Sequence, residues 1–264
     1  MPALASYLAQ VYHRYILELQ SAVAMTLANC DDPENLHKVR TTTRRILTLL
    51  KAFEKAFEPH FLKRAKPFFK NIIKQSNEAR DIDVFLQNFE SYKASLPPSM
   101  QEWIEPLRGA LKQKRSVAYE KLRLFLNDDL FKRELSHLAY AQMRQKSLSA
   151  KKGIKRALER TKKELKTKKD LHSIRIVYKR LRYLTELLAP FKNVKKRIKH
   201  LKKMQDLLGT YHDLVVQRES VYHFATTSDI DNECMLAAGK LMGDLESRAL
   251  KMEKRVKRKF HLTR

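Results

Sequence analysis

The stretch "LHKVRTTTRR", residues 36–45, decides how this chain is read. A histidine is followed by one arginine three residues on and by another seven residues on. On an α-helix, steps of three and four residues return to nearly the same side, so His37, Arg40 and Arg44 fall within roughly 60° of one another. Val39, Ile46, Leu50 and Phe53 share a face centred almost opposite. The segment therefore predicts an amphipathic helix with core on one side and cations on the other. The pattern recurs in "LHSIRIVYKR" at 171–180, where His172, Arg175 and Lys179 take the same spacing.

Working outward, the chain has only five glycines and eight prolines. Pro33, Pro59, Pro97, Pro98 and Pro190 stand where helices should start or stop. The apolar spacing between them predicts helices near 4–29, 33–57, 60–90, 99–126, 147–168, 171–189, 192–223 and 230–260, with a short one near 129–143. A local bend is expected around Asn77 and Gly209. Strand-like alternation is absent, so the fold class is all-α.

The two halves align without gaps over "LHKVRTTTRRILTLL" and "LHSIRIVYKRLRYLT". This pairs Leu36 with Leu171, His37 with His172, Arg40 with Arg175, Arg44 with Lys179 and Arg45 with Arg180. "ARDIDVFL" and "YHDLVVQR" align Asp81 with Asp213 at nearly the same offset. The expectation is one domain over residues 1–264, built by internal duplication from repeats at about 1–128 and 129–264. Each repeat would form an antiparallel four-helix bundle, the two related by a pseudo-twofold.

The formal net charge is +26, from 55 Lys+Arg against 29 Asp+Glu. Solubility of a small domain asks for a magnitude of about 2 to 8. A polyanion is the expected partner. The basic character is concentrated between Lys151 and Lys203, where 21 Lys and Arg face only Glu159, Glu164, Asp170 and Glu186. Cys30 and Cys234 belong to no CxxC, which argues against a zinc site or a disulfide framework and for a reducing cytoplasm. The first residues lack a basic leader before an uninterrupted apolar core. No run approaches the roughly 20 apolar residues of a membrane span, so a soluble protein is expected.

No GxxxxGK[ST] loop occurs, so a bound phosphate chain would be held by side chains, Arg as a flat fork and Lys as a mobile point charge. Lys63, Lys66, Lys70 and Lys74 form a stripe opposite Ala65, Phe68, Phe69 and Ile72. Lys192, Lys196, Lys199 and Lys203 form another opposite Val194, Ile198 and Leu201. Taken singly, such a stripe is how any solvated helix looks. Four of one sign on equivalent helices favour binding, because like-charge repulsion within a helix brings no folding benefit.

For His37 and His172, packing, metal ligation and phosphate contact compete. Neither has a His, Cys or carboxylate at i+3 or i+4, and surrounding cations repel a metal ion. The shared stripe with Arg40 or Arg175 favours phosphate, to which imidazole donates in either charge state. Phosphoryl transfer onto histidine lacks a general acid, a metal cluster or a nucleotide loop. Asp81, Asp83 and Asp213 are read as anchors for Arg40, Arg44, Arg45, Arg175 or Arg180 in preference to metal ligands. His212-Asp213 alone lacks the further ligands of a phosphohydrolase of the His-Asp type. Gly239 and Gly243 are read as a close helix contact, and the tail "RALKMEKRVKRKFHLTR" as a solvated last helix.

"LHKVRTTTRR" followed by "NEARDIDVFL", then "LHSIRIVYKRLRY" followed by "LKKMQDLLGTYHDL", resembles the CHAD family, the histidine-containing α-helical domain, over nearly the whole chain. The resemblance implies two pseudo-symmetric four-helix bundles around a basic central surface, and binding of inorganic polyphosphate without catalysis. It also implies that the motif histidines and the cations one and two turns later face the polyanion: His37, Arg40, Arg44, His172, Arg175 and Lys179. Where the first repeat has Arg80 the second has His212. Members fused to a triphosphate tunnel domain carry an ExExK strand, and none occurs here. The expectation is a cytoplasmic binding protein, associated with polyphosphate granules, that needs no cofactor or metal. Its groove or pore would be lined by the second, third, sixth and seventh helices. Arg45, Lys63, Lys66, Lys70, Lys74, Arg180, Arg182, Lys196, Lys199 and Lys203 extend the site. Two rivals remain: a nucleic-acid-binding protein, against which the lack of base-reading motifs and stacking aromatics counts, and a phosphohydrolase or phosphotransferase acting on polyphosphate.

Overall fold

Proline and aspartate open the helices where their chemistry suits. Pro33 has no N–H to leave orphaned and begins α2 (Pro33–Ala52), while the Asp32 carboxylate accepts from the Glu34 amide at 2.9 Å. Asp170 caps α8 (Leu171–Leu188) through the Ser173 amide at 2.7 Å. Asp128 caps α6 (Asp129–His137), and Asp231 caps α10 (Asn232–Lys259). The remaining helices are α1 (Leu4–Ala28), α3 (Pro59–Gln75), α4 (Asn77–Lys93), α5 (Glu105–Asn127), α7 (Ala150–Lys166) and α9 (Lys195–Thr227). This computed structural model describes residues 2–144 and 148–260. Among them there are no strands, only isolated bridges at Ala3 with Ser149 and Phe57 with Met143, so the protein is all-α.

Several helix limits differ from expectation. The helix expected over 33–57 ends at Ala52 and is followed by a 3-10 turn, Glu54–Ala56. The one expected over 60–90 is two helices, broken at Ser76. There the Ser76 hydroxyl donates back to the Ile72 carbonyl at 2.7 Å, a side-chain bond that competes with helix continuation. The helix expected from 99 begins at Glu105, and that expected from 192 begins at Lys195. α9 runs unbroken through Gly209 to Thr227. Residue 147, where α7 was expected to start, and residues 261–264 of the basic tail lie outside the described residues.

The chain forms two compact units, one of residues 1–77 and 121–204, the other of 78–120 and 205–264. Each draws segments from both expected repeats. In the first unit α2 packs against α1, α3 and α8, and α7 packs against α1 and α8. Val39, Ile46, Leu50 and Phe53 are buried as expected. Tyr12 meets Phe57, Phe61 and Phe69 edge to face, a geometry favoured by ring quadrupoles. α1 and α7 touch closely at Gly153, where a Cβ would stand 2.6 Å from Leu4 Cδ2. Gly239 and Gly243 make no such contact, a Cβ on either meeting nothing within 4 Å, so the expected close packing there is corrected.

The second unit is built around a buried charge. Asp83, 2% exposed, accepts from Arg115 Nε at 2.8 Å and from the Tyr119 hydroxyl at 2.7 Å. Its arginine therefore comes from α5, not from the α2 or α8 stripes where it was expected. Burial, reinforced by the bond to Asp83, pushes the Tyr119 phenol well up. Tyr92 donates to Gln217 at 2.5 Å in the same unit. Asp83→Ala leaves a guanidinium without its carboxylate, so a loss of about 3 kcal/mol or more is expected. A urea-unfolding midpoint within error of the parent would show that Arg115 finds water instead.

Candidate polyanion-binding surface

The direct packing of α2 on α8 puts the two histidine motifs on neighbouring helices of one unit. Arg45 of α2 is shared between Glu18 of α1 at 3.8 Å and Glu186 of α8 at 3.6 Å. Its guanidinium also lies 6.0 Å from the ring centroids of Tyr15 and Tyr183. Burial raises the Tyr15 phenol against the opposing pull of Arg45 and Arg14. Arg182 reaches Glu186 at 3.3 Å and stacks on Tyr183 at 5.0 Å. Arg180 pairs with Glu164 of α7. Burial works to raise the Glu164 carboxyl, but Arg180, helped by Lys51 and Lys168, holds it below the ordinary carboxylate range. Arg45 and Arg180 tie helices together as well as adding charge, whereas Arg182 pairs within α8.

His37 and His172 are exposed, and the His37 ring Nε2 lies 3.4 Å from the Thr41 hydroxyl. Arg40 departs from the expected exposed stripe: it is 7% exposed. Its Nη1 donates to the Ile73 carbonyl at 3.1 Å and to Ser76 Oγ at 2.8 Å, and its Nη2 donates to Asn77 Oδ1 at 2.9 Å. A cation here satisfies orphan acceptors at the C-terminal end of α3 and sits at the negative end of its dipole. The same bonds explain why α3 stops where it does. Arg44 is half-buried, with no carboxylate of the described residues within ion-pairing distance. Arg175 and Lys179 are half-buried.

On α3, Lys63, Lys70 and Lys74 are exposed. Lys66 instead binds Glu54 at 2.9 Å, and its hydrogen bond lowers the Glu54 carboxyl. On the first turns of α9, Lys196, Lys199 and Lys203 are exposed, whereas Lys192 precedes the helix. Asp213 lies 3.4 Å from the His212 ring. Among the described residues no three His, Cys, Asp or Glu side chains are grouped to hold a metal ion. The counter-acids Glu18, Glu164 and Glu186 escaped the sequence reading. Glu186 and Glu18 carried a local signal, their i+4 spacing from Arg182 and Arg14, but nothing local pointed to their pairing with Arg45.

The sequence matches the CHAD domain family over residues 11–221. This chain belongs to the CHAD domain family. Its fold is similar to that of "PptA from Streptomyces chartreusis", with a TM-score of 0.79 at 14% identity over 99% of this chain and 100% of that one. It is also similar to the CHAD domain from the plant Ricinus communis, with a TM-score of 0.77 at 20% identity over 99% and 93% of the two chains. No curated protein matches the sequence. Among the described residues no helix is long and apolar enough to cross a membrane.

Within this CHAD fold, Arg40 and Arg44 are expected to separate structure from surface. Arg40→Ala strips three hydrogen bonds from a buried site and should cost about 2 to 4 kcal/mol, and Arg40→Lys should not recover it because the fork is lost. Arg44→Ala should stay within about 0.5 kcal/mol of the parent. Chemical unfolding of the three variants checks this, and equal losses for Arg40→Ala and Arg44→Ala would contradict it.

Proposed function

We propose that this CHAD protein binds inorganic polyphosphate along α2, α3, α8 and the first turns of α9, and holds it without turnover. The observation that carries this reading is the set of cations that the fold leaves unbalanced. Arg44, Lys63, Lys70, Lys74, Lys196, Lys199 and Lys203 have no carboxylate of the described residues within ion-pairing distance, and all belong to one unit. A solvated helix face mixes signs, as Lys162 with Glu159 or Lys240 with Asp244 do. Here the sign is uniform over several faces.

Polyphosphate suits such a surface because its repeating, flexible units present one kind of acceptor at every step. Register is then unimportant, and long side chains on rigid helices suffice. His37 and His172, exposed near these cations, would add donors to phosphate oxygens in either charge state. The reading treats the two histidine motifs as repeats of one ancestral unit acting on one polymer. It places the protein in the cytoplasm, at polyphosphate granules.

Binding should weaken by a few hundredfold between 50 and 200 mM salt if about six phosphates are engaged, at roughly 0.7 counterion released per contact. Replacing Arg44, Lys70, Lys74, Lys196, Lys199 and Lys203 together by Ala should abolish tight binding and leave the melting temperature nearly unchanged. Tripolyphosphate should bind roughly 10²-fold more weakly than chains of tens of phosphates, which gain further contacts without a second loss of translational freedom. Duplex DNA competing as well as polyphosphate would favour the nucleic-acid reading, and phosphate released on long incubation would favour an enzyme.

A further inference from the structure

We propose a second anion site, independent of the polyphosphate reading, in the cleft between the C-terminal end of α2 and the N-terminal half of α7, shaped for a nucleoside di- or triphosphate. The cleft has a volume of about 860 Å³ and lies within the first unit. That is in the range of small-molecule sites, roughly 300 to 1,000 Å³. Six cations line it: Lys51, Lys55, Lys152, Lys155, Arg156 and Arg160. On α7, residues 152, 156 and 160 are spaced by four, so they present one face to the cleft. Arg160 Nη2 donates to the Ala52 carbonyl at 3.0 Å, which closes one end of the cleft and caps the last turn of α2.

The charge of this cleft is not cancelled from within. Its two carboxylates already have partners that do not line it: Glu54 binds Lys66 at 2.9 Å, and Glu159 binds Lys162 at 2.5 Å. Those lysine bonds hold both carboxyls below the ordinary range. None of the six lining cations has a carboxylate of the described residues within ion-pairing distance. The site is thus a cationic rim whose two acids are already paired with lysines outside it.

The floor separates this cleft from a plain polyphosphate track. Leu4, Phe53 and Ala56 are buried beneath it, and Leu148 is half-buried beside them. Bare phosphate chains gain nothing from apolar surface, whereas a ligand with a flat base buries that base there while the rim takes its phosphates. A membrane surface fits poorly, because the apolar side chains are recessed and none projects for insertion.

The test uses the full chain and calorimetry at physiological salt, where charges separated by more than about 8 Å are largely screened. ATP should bind at least about tenfold more tightly than inorganic tripolyphosphate, which has its phosphates but no base. The pair Lys152→Glu and Arg156→Glu, at exposed positions, should weaken ATP at least tenfold more than it weakens long-chain polyphosphate. Leu148→Ala should lower ATP affinity severalfold and leave tripolyphosphate unchanged. Equal affinity for ATP and tripolyphosphate would overturn the proposal, as would displacement of ATP by vesicles of acidic phospholipid. Loss of polyphosphate binding with ATP binding intact would instead overturn only the function proposed above.

Discussion

The guanidinium of Arg45 joins three helices. It stands between Glu18 of α1 and Glu186 of α8, beside the rings of Tyr15 and Tyr183. Without it, the half-buried Glu186 of α8 and the exposed Glu18 of α1 would face α2 with one fewer cation to separate them. A tie of this kind fixes the rotation of α2 against α8, and rotation decides what each helix presents. His37 and Arg44 lie roughly 80 to 100° round the helix from Arg45, so with Arg45 held between α1 and α8, His37 is left exposed and Arg44 half-buried. The surface chemistry of α2 depends on this partly exposed ion-pair bridge.

The cations of the first unit divide by what balances them. Arg40 is satisfied by the end of α3, Arg45 and Arg182 by Glu186, Arg180 by Glu164, and Lys66 by Glu54. Arginine dominates among these because its delocalised, weakly hydrated guanidinium suits a partly buried site, and in Arg40 the fork meets three acceptors at once. Lysine dominates among the exposed positions on α3 and α9, where a hydrated, mobile point charge does not need a fixed partner. The split between the two residue types follows their hydration and geometry. It means that total charge overstates what is available to a ligand.

Much of this was legible in the sequence, and for identifiable reasons. Periodicity placed Val39, Ile46, Leu50 and Phe53 in the core, and Pro33 and Pro59 at helix starts, because both signals are local. Arg40 was misplaced because periodicity gives the centre of a buried face but not its width. α2 is packed by α1, α3 and α8, so its buried arc extends well past half the helix. Asp83 was matched to the wrong arginines because its partner on α5 is 32 residues away, a pairing chosen by packing and not by spacing. A glycine within a helix costs only about 1 kcal/mol, which packing overrides, so Gly209 passes without a break. At Ser76 the break comes from a side chain bonding back to its own helix together with a distant arginine, and only the first of these is local.

The unbalanced lysines carry a cost of their own. Lys70 with Lys74 and Lys199 with Lys203 are like charges at i,i+4, where neighbours stand about 5 to 6 Å apart, closer than the Debye length at physiological salt. Each such pair opposes its helix by about 0.2 to 0.5 kcal/mol, and the aromatic and aliphatic core must offset the sum. A polyanion bound as proposed would remove that repulsion as it gained its own contacts, so part of its affinity would be relief of strain already present in the free protein. Rigid helices are the appropriate support for this arrangement. A loop would relax by moving its cations apart, whereas a packed helix holds them at fixed spacing and leaves the adjustment to the flexible ligand.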